Sequence, residues 1–357
     1  MNGKTDNMPR GMHVLHCIYS MEVGGAETML VDIINGQVAR GLRVTLLVVN
    51  SGINEDLMAK LDSRVHVERM NRRQGDKPLL MMARLNVFIA RLWPDIIHVH
   101  HHKFCRLIQV RRGRVLLTVH DVNTPMVYCA GSRMVAITAA VEEDIRRRIA
   151  DARVETIYNG IRTADIPARR SAEAPSPLRL VQVARLNSDK KGQDVLVRAL
   201  GELRRRGITD VEASFIGTGP DLEMLRGLAE EEGVASQVHF EGLRDRDCIY
   251  AHLCDYDAMC HPSRWEGFGL TIAEAMAAGL PLVVTEGDGP WEVADRGRLC
   301  LSFAMGDHAA CADAIAALRA DWQGAEARAA EAREHVRRFD IANTVDNYID
   351  YYRRLSH

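Results

Sequence analysis

The densest run of chemistry-bearing side chains is SRWEGFGLTIAEAMAAGLPLVVT, residues 263–285. Glu266 and Glu274 stand eight residues apart, and Gly267 and Gly269 follow the first of them. An apolar run (AMCHP, 258–262) leads in and a helical pattern leads out, so the glycines fall between a strand and a helix. The first turn of a helix offers unpaired N–H groups and the positive end of the helix dipole, a place for a diphosphate. Glycines let the backbone approach such a ligand closely. A carboxylate in the first turns can accept from ribose hydroxyls with both oxygens. Thr271-x-x-Glu274 also fits a capping box, in which Glu274 would serve only the helix end. Glu266, in a loop beside two glycines and Trp265, has no such local use.

Three further clusters follow strands. In VARLNSDKKGQDVLVRAL (183–200), Arg185 stands at a strand's carboxyl end and Lys191 just before Gly192 and the next helix. Two cations at that edge suit a diphosphate, or they are solvated charges on a turn. In VGGAETM (23–29), Gly24 and Gly25 open a helix, either to approach a phosphate or to make a tight turn. In TVHD (118–121), His120 and Asp121 end a buried strand. A histidine there serves either structure or chemistry.

Other signals are weaker. HVHHHK (98–103) has metal-ligand residue types, but no Cys or acidic partner is spaced with it and Lys103 would repel a cation. Asp255-Tyr256-Asp257 has the form of a D-x-D metal motif but enters a strand rather than leaving one, which makes it structural. Gly217-Thr218-Gly219 starts like a dinucleotide fingerprint, yet Leu222 stands where the third glycine belongs. No metal site and no cofactor is expected. The clusters Arg111–Arg114 and Arg146–Arg148 are solvated faces or contacts to anionic lipid.

The elements that must position these residues are legible as an alternation. Strand-like runs fall at 13–19, 43–49, 65–69, 96–100, 115–120 and 134–138, then at 178–184, 212–217, 238–242, 258–262 and 280–285. Helical patterns fall between them, among others at 192–206, 220–232, 245–254, 271–278 and 307–320. Buried strands alternating with helices predict an α/β protein with parallel sheets, here two Rossmann-like doubly wound domains. The chain's 357 residues suit two domains. Residues 1–160 carry 22 Lys/Arg against 16 Asp/Glu, and 161–357 carry 24 against 32, which divides a basic half from an acidic one. The Pro-rich stretch 162–180 marks the boundary, giving domains at 1–165 and 178–339. The closing helix, 340–357, packs on the second domain or crosses back to the first.

Composition excludes some classes. A net charge of −2 and 5% aromatics argue against nucleic-acid binding. No apolar run reaches membrane-spanning length, and the first residues lack a signal-peptide core. Eight cysteines without a C-x-x-C pair read as reduced thiols in the cytoplasm.

Taken in order, VGGAE, PDIIHVH, TVHD, IYNGI (157–161), VARLNSDKKGQDVL, FIGTGP (215–220), HFEGL (239–243) and the Glu266-x7-Glu274 segment resemble the retaining GT-B glycosyltransferases of family 4, nearly end to end. The resemblance implies two domains facing a cleft, with a nucleotide-sugar donor on the second and a glycan or lipid-linked acceptor on the first. Arg185 and Lys191 would hold the diphosphate, with backbone N–H groups at Gly269, Leu270 and Thr271. Glu274 would take the ribose, Glu266 the donor hexose, and the Leu243-Arg244 backbone the base. Gly217, Gly267 and Phe268 would complete the donor site. Gly24 and Gly25 would approach the phosphate, and His120 would sit by the transferred hexose with Asp121 beside it. Preorganised cations and a helix end can stabilise the leaving diphosphate without a metal. The resemblance also implies bacterial lipopolysaccharide, capsule or exopolysaccharide synthesis, with room for peripheral contact between the basic domain and an anionic membrane.

One departure stands out. Where the family often has Gly-Gly-x-Pro-Glu, this chain reads Gly287-Asp288-Gly289-Pro290-Trp291-Glu292. Glu292 keeps its place, while Trp291 either shapes sugar or acceptor choice or packs. Two other classes remain to be distinguished by product analysis: a GT-B nucleotide-sugar epimerase, and a catalytically silent scaffold.

Overall fold

The computed structural model describes residues 11–73, 75–110, 113–126, 129, 131–170, 173–287 and 289–356. The chain forms two compact units. One runs to Gly160 and takes in the chain from Ile341 onward; the other is Ile161–Asp340. The stretch 162–180, which composition marks as the boundary, thus lies wholly inside the second unit, and the first ends at Gly160 rather than at 165. Ile161 bridges Asp340, and the Arg169 N–H donates to the Ala278 carbonyl.

The first unit is a seven-stranded parallel sheet. Its strands are β1 (His13–Ile18), β2 (Arg43–Asn50), β3 (His66–Arg72), β4 (Ile96–Val99), β5 (Arg114–Val119), β6 (Arg133–Ala136) and β7 (Arg153–Thr156). Their spatial order is β3-β2-β1-β4-β5-β6-β7. Every residue of β1 and β4 is buried, as strands covered on both faces require. β7 has no counterpart in the apolar pattern, because its residues alternate exposed and half-buried at the sheet edge.

The second unit is a six-stranded parallel sheet of β8 (Leu178–Val183), β9 (Val211–Ile216), β10 (Val238–Gly242), β11 (Ala258–His261), β12 (Leu282–Thr285) and β13 (Leu301–Phe303). Their order is β10-β9-β8-β11-β12-β13. Leu196, Leu200, Phe215, Ile315 and Leu318 join helices 193–205 and 308–320 to the sheet in one core.

Both sheets run outward from their first strand, then jump back to start again beside it. The reversal falls between β1 and β4 in one unit and between β8 and β11 in the other. At such a point the loops leaving two neighbouring strands diverge, and a crevice opens at the carboxyl ends.

The last helix, Ile341–Ser356, belongs to the first unit. It buries Val345, Tyr348, Ile349 and Tyr352. Gln37 donates to the Tyr352 hydroxyl, Thr344 donates to the Tyr158 carbonyl, and Arg40 pairs with Asp346. No helix among the described residues is long and apolar enough to cross a membrane.

Candidate functional site

In the second unit the reversal point gathers the residues the sequence singles out. β8 ends at Val183, and the chain turns through Arg185, whose side chain is exposed. A single helical turn follows, Ser188–Lys191, capped by the Asn187 side chain accepting from the Lys190 N–H at 3.2 Å. Gly192 ends the turn at φ +64°, where a Cβ would overlap the Pro262 carbonyl behind β11. Only glycine permits this close approach, and it brings Lys191 against the loop leaving β11.

Here the Lys191 ammonium lies 2.9 Å from Oε2 of Glu266. The His261 Nε2 lies 3.1 Å from the same oxygen, and the Ser263 hydroxyl donates to it at 3.4 Å. Burial raises the cost of charge on Glu266, but Lys191 and His261 outweigh it and hold the carboxyl well below the usual range. A second link braces the two loops. The Arg264 N–H donates to the Lys190 carbonyl at 2.9 Å, and its guanidinium clasps Asp194 at 2.7 and 2.9 Å. His261, Arg264 and Asp194 escape sequence reasoning because only the fold brings them to Lys191 and Glu266. Asp221, from the neighbouring loop, accepts from the Ser188 N–H at 2.6 Å and steadies the same turn.

After Glu266 the chain passes Gly267 and Phe268 to helix Leu270–Ala277. Gly269, at φ +81°, is its N-cap and offers no side chain to the first turn. This overturns the capping-box reading: Thr271 already lies inside the helix, so Glu274 sits in its second turn, buried at 7% exposure. The N–H groups at Leu270 and Thr271 therefore face a helix start without a capping side chain. Phe268 is core: 2% exposed, with its ring edge-on to Phe339 at 5.4 Å between centroids.

Other residues divide between site and scaffold. Gly217 has a packing reason of its own, since a Cβ there would overlap the Ala184 carbonyl. Leu243 and Arg244 lie exposed after β10. Trp291, in helix Gly289–Val293, keeps its indole N–H buried, with that nitrogen 3.2 Å from where a Cβ on Gly297 would stand. Packing is the contact the structure gives it; Glu292 beside it is half-buried. Asp288 lies outside the described residues. Asp257 of the D-x-D triplet is clasped by Arg179 at 3.0 and 3.1 Å at the amino end of β11.

In the first unit, Gly24 is the N-cap of helix Gly25–Ala39 with no capping side chain. His120 follows β5, and its Nε2 lies 3.2 Å from Nδ1 of His100. His16, His98 and His100 each bring a ring nitrogen within 4.8 Å of the others, close enough to share an ion. All six of their nitrogens already hold hydrogen-bond partners, however. At the carboxyl ends of β1 to β4 a cavity of about 740 Å³ is lined by Tyr19, Asn50, Arg72, Lys103, Arg106 and Leu79, among others. Arg146, Arg147 and Arg148 each pair with an acidic residue four positions earlier, so that cluster is compensated on its own helix. Arg111 and Arg112 lie outside the described residues. All eight cysteines are free.

Two Rossmann-like units with GT-B topology, one carrying a cation–carboxylate pair beside an open helix start, define the class. Residues 23–165 match the model of the family described as Glycosyltransferase Family 4, and residues 177–321 that of Glycosyl transferases group 1. The chain belongs to this group 1 / family 4 glycosyltransferase family. It is 36% identical over 154 residues to a GDP-mannose-dependent alpha-(1-6)-phosphatidylinositol monomannoside mannosyltransferase of Mycobacterium tuberculosis. That match covers 41% of this chain and 40% of the mycobacterial enzyme. The lipopolysaccharide core biosynthesis glycosyltransferase LpsD of Rhizobium meliloti is 26% identical over 349 residues, covering 96% of this chain and 98% of that one. Among solved structures, Anabaena HepE in complex with UDP and glucose superimposes with a TM-score of 0.80 at 21% identity, over 95% of this chain and 99% of that one.

Proposed function

We propose that the protein is a retaining, metal-independent hexosyltransferase. It moves a hexose from a UDP- or GDP-sugar to a glycan or lipid-linked acceptor in bacterial surface polysaccharide synthesis. The observation that carries the reading is the Lys191–Glu266 pair at the β8/β11 reversal, beside the uncapped start of helix Leu270–Ala277.

The chemistry follows from the charges. As the glycosidic bond breaks, negative charge grows on the diphosphate. Lys191, Arg185 and the N–H groups at Gly269, Leu270 and Thr271 form a preorganised positive field for it. Glu266 is ionised and accepts from hexose hydroxyls. Glu274 accepts from the ribose, and the Leu243-Arg244 backbone meets the base. Retention by front-face attack needs no enzyme nucleophile, so Glu266 is a binding residue. Gly25 and His120 of the first unit would approach the donor. The LpsD and HepE likenesses support the pathway and the UDP arm, and the mycobacterial enzyme the GDP arm. The cysteine pattern supports a cytoplasmic setting.

The cavity lined by Arg72, Lys103 and Arg106 supports an acceptor carrying an anionic group next to an apolar one, since Leu79, Met81, Met82 and Leu107 line the same space.

The test is thermal unfolding with UDP, GDP, ADP and CMP, with Lys191→Ala as control. A ligand at 100 times its Kd stabilises by about 2.7 kcal/mol. One nucleotide shifting wild type but not the variant sets the donor class. No shift with any nucleotide or its sugar conjugate overturns the reading. Transfer in excess EDTA tests metal independence, and the anomeric configuration of the product tests retention.

A further inference from the structure

A hydrogen-bond chain runs through the core of the first unit and ends at His120. The Gln37 amide is its pivot. Its Nε2 donates to the Tyr352 hydroxyl at 3.2 Å, and its Oε1 lies 2.9 Å from Nε2 of His16. Next, Nδ1 of His16 lies 3.0 Å from Nε2 of His100, and Nδ1 of His100 lies 3.2 Å from Nε2 of His120. His16, His100 and Gln37 are buried.

The rings are neutral. Burial drives His16 and His120 down to about 4 and holds His100 well below its ordinary value. A neutral imidazole has one donor and one acceptor nitrogen, so fixing one ring fixes the next. The Gln37 oxygen can only accept, so His16 carries its proton on Nε2 and accepts at Nδ1. His100 must then donate from Nε2 and accept at Nδ1. His120 must donate from Nε2, which leaves Nδ1 without a proton. That nitrogen is buried and has no hydrogen-bond partner among the described residues.

The other arm agrees. The Tyr352 hydroxyl accepts from Gln37 and donates to Nδ1 of His98 at 2.6 Å. His98 then donates from Nε2 to the Thr118 hydroxyl at 2.6 Å, and Thr118 donates to the Tyr348 hydroxyl at 3.0 Å. The amide orientation given by the structure thus satisfies every member of the network, and its flip would reverse every donor along both arms.

We propose that Gln37, held by Tyr352 of the last helix, is a positioning residue that sets the tautomer of His120 through His16 and His100 and leaves its Nδ1 a bare acceptor. The effect on turnover rests on the reading of His120 as a residue beside the transferred hexose; the tautomer does not.

The experiment is long-range ¹H–¹⁵N correlation of the imidazoles in histidine-labelled free protein near neutral pH, with His120 assigned by its loss in His120→Asn. The expected spectrum shows Nε2 protonated and Nδ1 bare at His120. Gln37→Glu, which still accepts from His16, keeps that pattern. Gln37→Met, which cannot accept, gives a mixture of tautomers and lowers kcat by about tenfold with the donor KM unchanged. A His120 protonated on Nδ1 in the wild type overturns the proposal, and so does an unaltered tautomer in Gln37→Met. Because the tautomer is read without substrate, the stated pattern in a protein that binds no nucleotide sugar would defeat the functional reading alone.

Discussion

Lys191 and Glu266, from loops that leave two different strands, meet at 2.9 Å and neutralise each other in the free protein. The residues assigned to the diphosphate and to the hexose are therefore partners before either ligand arrives. Breaking the pair takes the lysine cation from a carboxylate that is only 20% exposed and leaves it His261 and Ser263. Lys191→Met should destabilise the protein by about 1–3 kcal/mol at pH 7.5. The sign with pH is specific. In the wild type the carboxyl is held down, so its contribution is full above the unfolded value near 4.5 and is lost as pH falls through the folded value. Without Lys191 the folded value climbs back toward the unfolded one, with His261 and Ser263 alone still on the carboxyl, so less stability is left to lose on acidification. Urea unfolding at pH 3 and 7.5 measures this, the deficit being smaller at pH 3. An equal deficit at both pH values would rule it out.

Gly192 carries the approach that makes this pair. Gly192→Ala places a side chain at φ +64° and against the Pro262 carbonyl. The expected loss is about 2–4 kcal/mol, from left-handed strain plus overlap. Nucleotide affinity should fall with it, because Lys191 moves off Glu266. A stable variant with wild-type affinity would show that the turn tolerates displacement.

Glu274 separates binding from capping. The helix begins at Gly269, so Glu274→Gln removes charge in the second turn and leaves no cap to lose. A charge-assisted bond to ribose is worth about 1.5–3 kcal/mol, so isothermal titration should show nucleotide affinity reduced by roughly tenfold or more. Unchanged affinity would remove the ribose role.

These residues also mark how far the sequence could be read. Glu266, Lys191 and the glycines between strand and helix were visible because loop chemistry after a buried strand is local. The alternation of strands and helices was visible because parallel strands bury both faces, as in β1 and β4. β7 and the three-residue β13 were not, since an edge strand and a short one carry little apolar signal. The capping box failed because spacing alone does not say where a helix starts, and Gly269 at positive φ started it two residues before Thr271. Arg264 with Asp194, and Gln37 with Tyr352, are separated by 70 and 315 residues, so nothing local announces either pair.

The cavity of the first unit makes a prediction about the acceptor. Arg72→Gln and Lys103→Gln remove positive charge from its wall without touching the donor residues. Acceptor KM should rise by about tenfold for an acidic or phosphorylated acceptor, while the donor KM holds. Equal effects on neutral and anionic acceptors would place the anion elsewhere.

The histidine-rich core should make the first unit acid-sensitive. His16 and His120 are pushed down to about 4, and His98 and His100 lie well below their ordinary value, all led by burial. In the unfolded chain these rings take up protons near 6.5, whereas in the folded unit they stay neutral. Protons then favour the unfolded state, so stability is full above pH 6.5 and falls as pH drops from 6.5 toward 4. Each such ring weakens the fold by up to about 1.4 kcal/mol per pH unit in that window. The second unit holds no comparable cluster among its described residues, and its Lys191–Glu266 pair survives to far lower pH. Hydrogen exchange followed by mass spectrometry from pH 7 to 5, corrected for intrinsic rates, should show β1, β4 and the last helix opening while β8, β11 and helix 270–277 stay protected. Uniform protection of both units across that range would mean that the buried histidines are protonated, or solvated, in the folded protein.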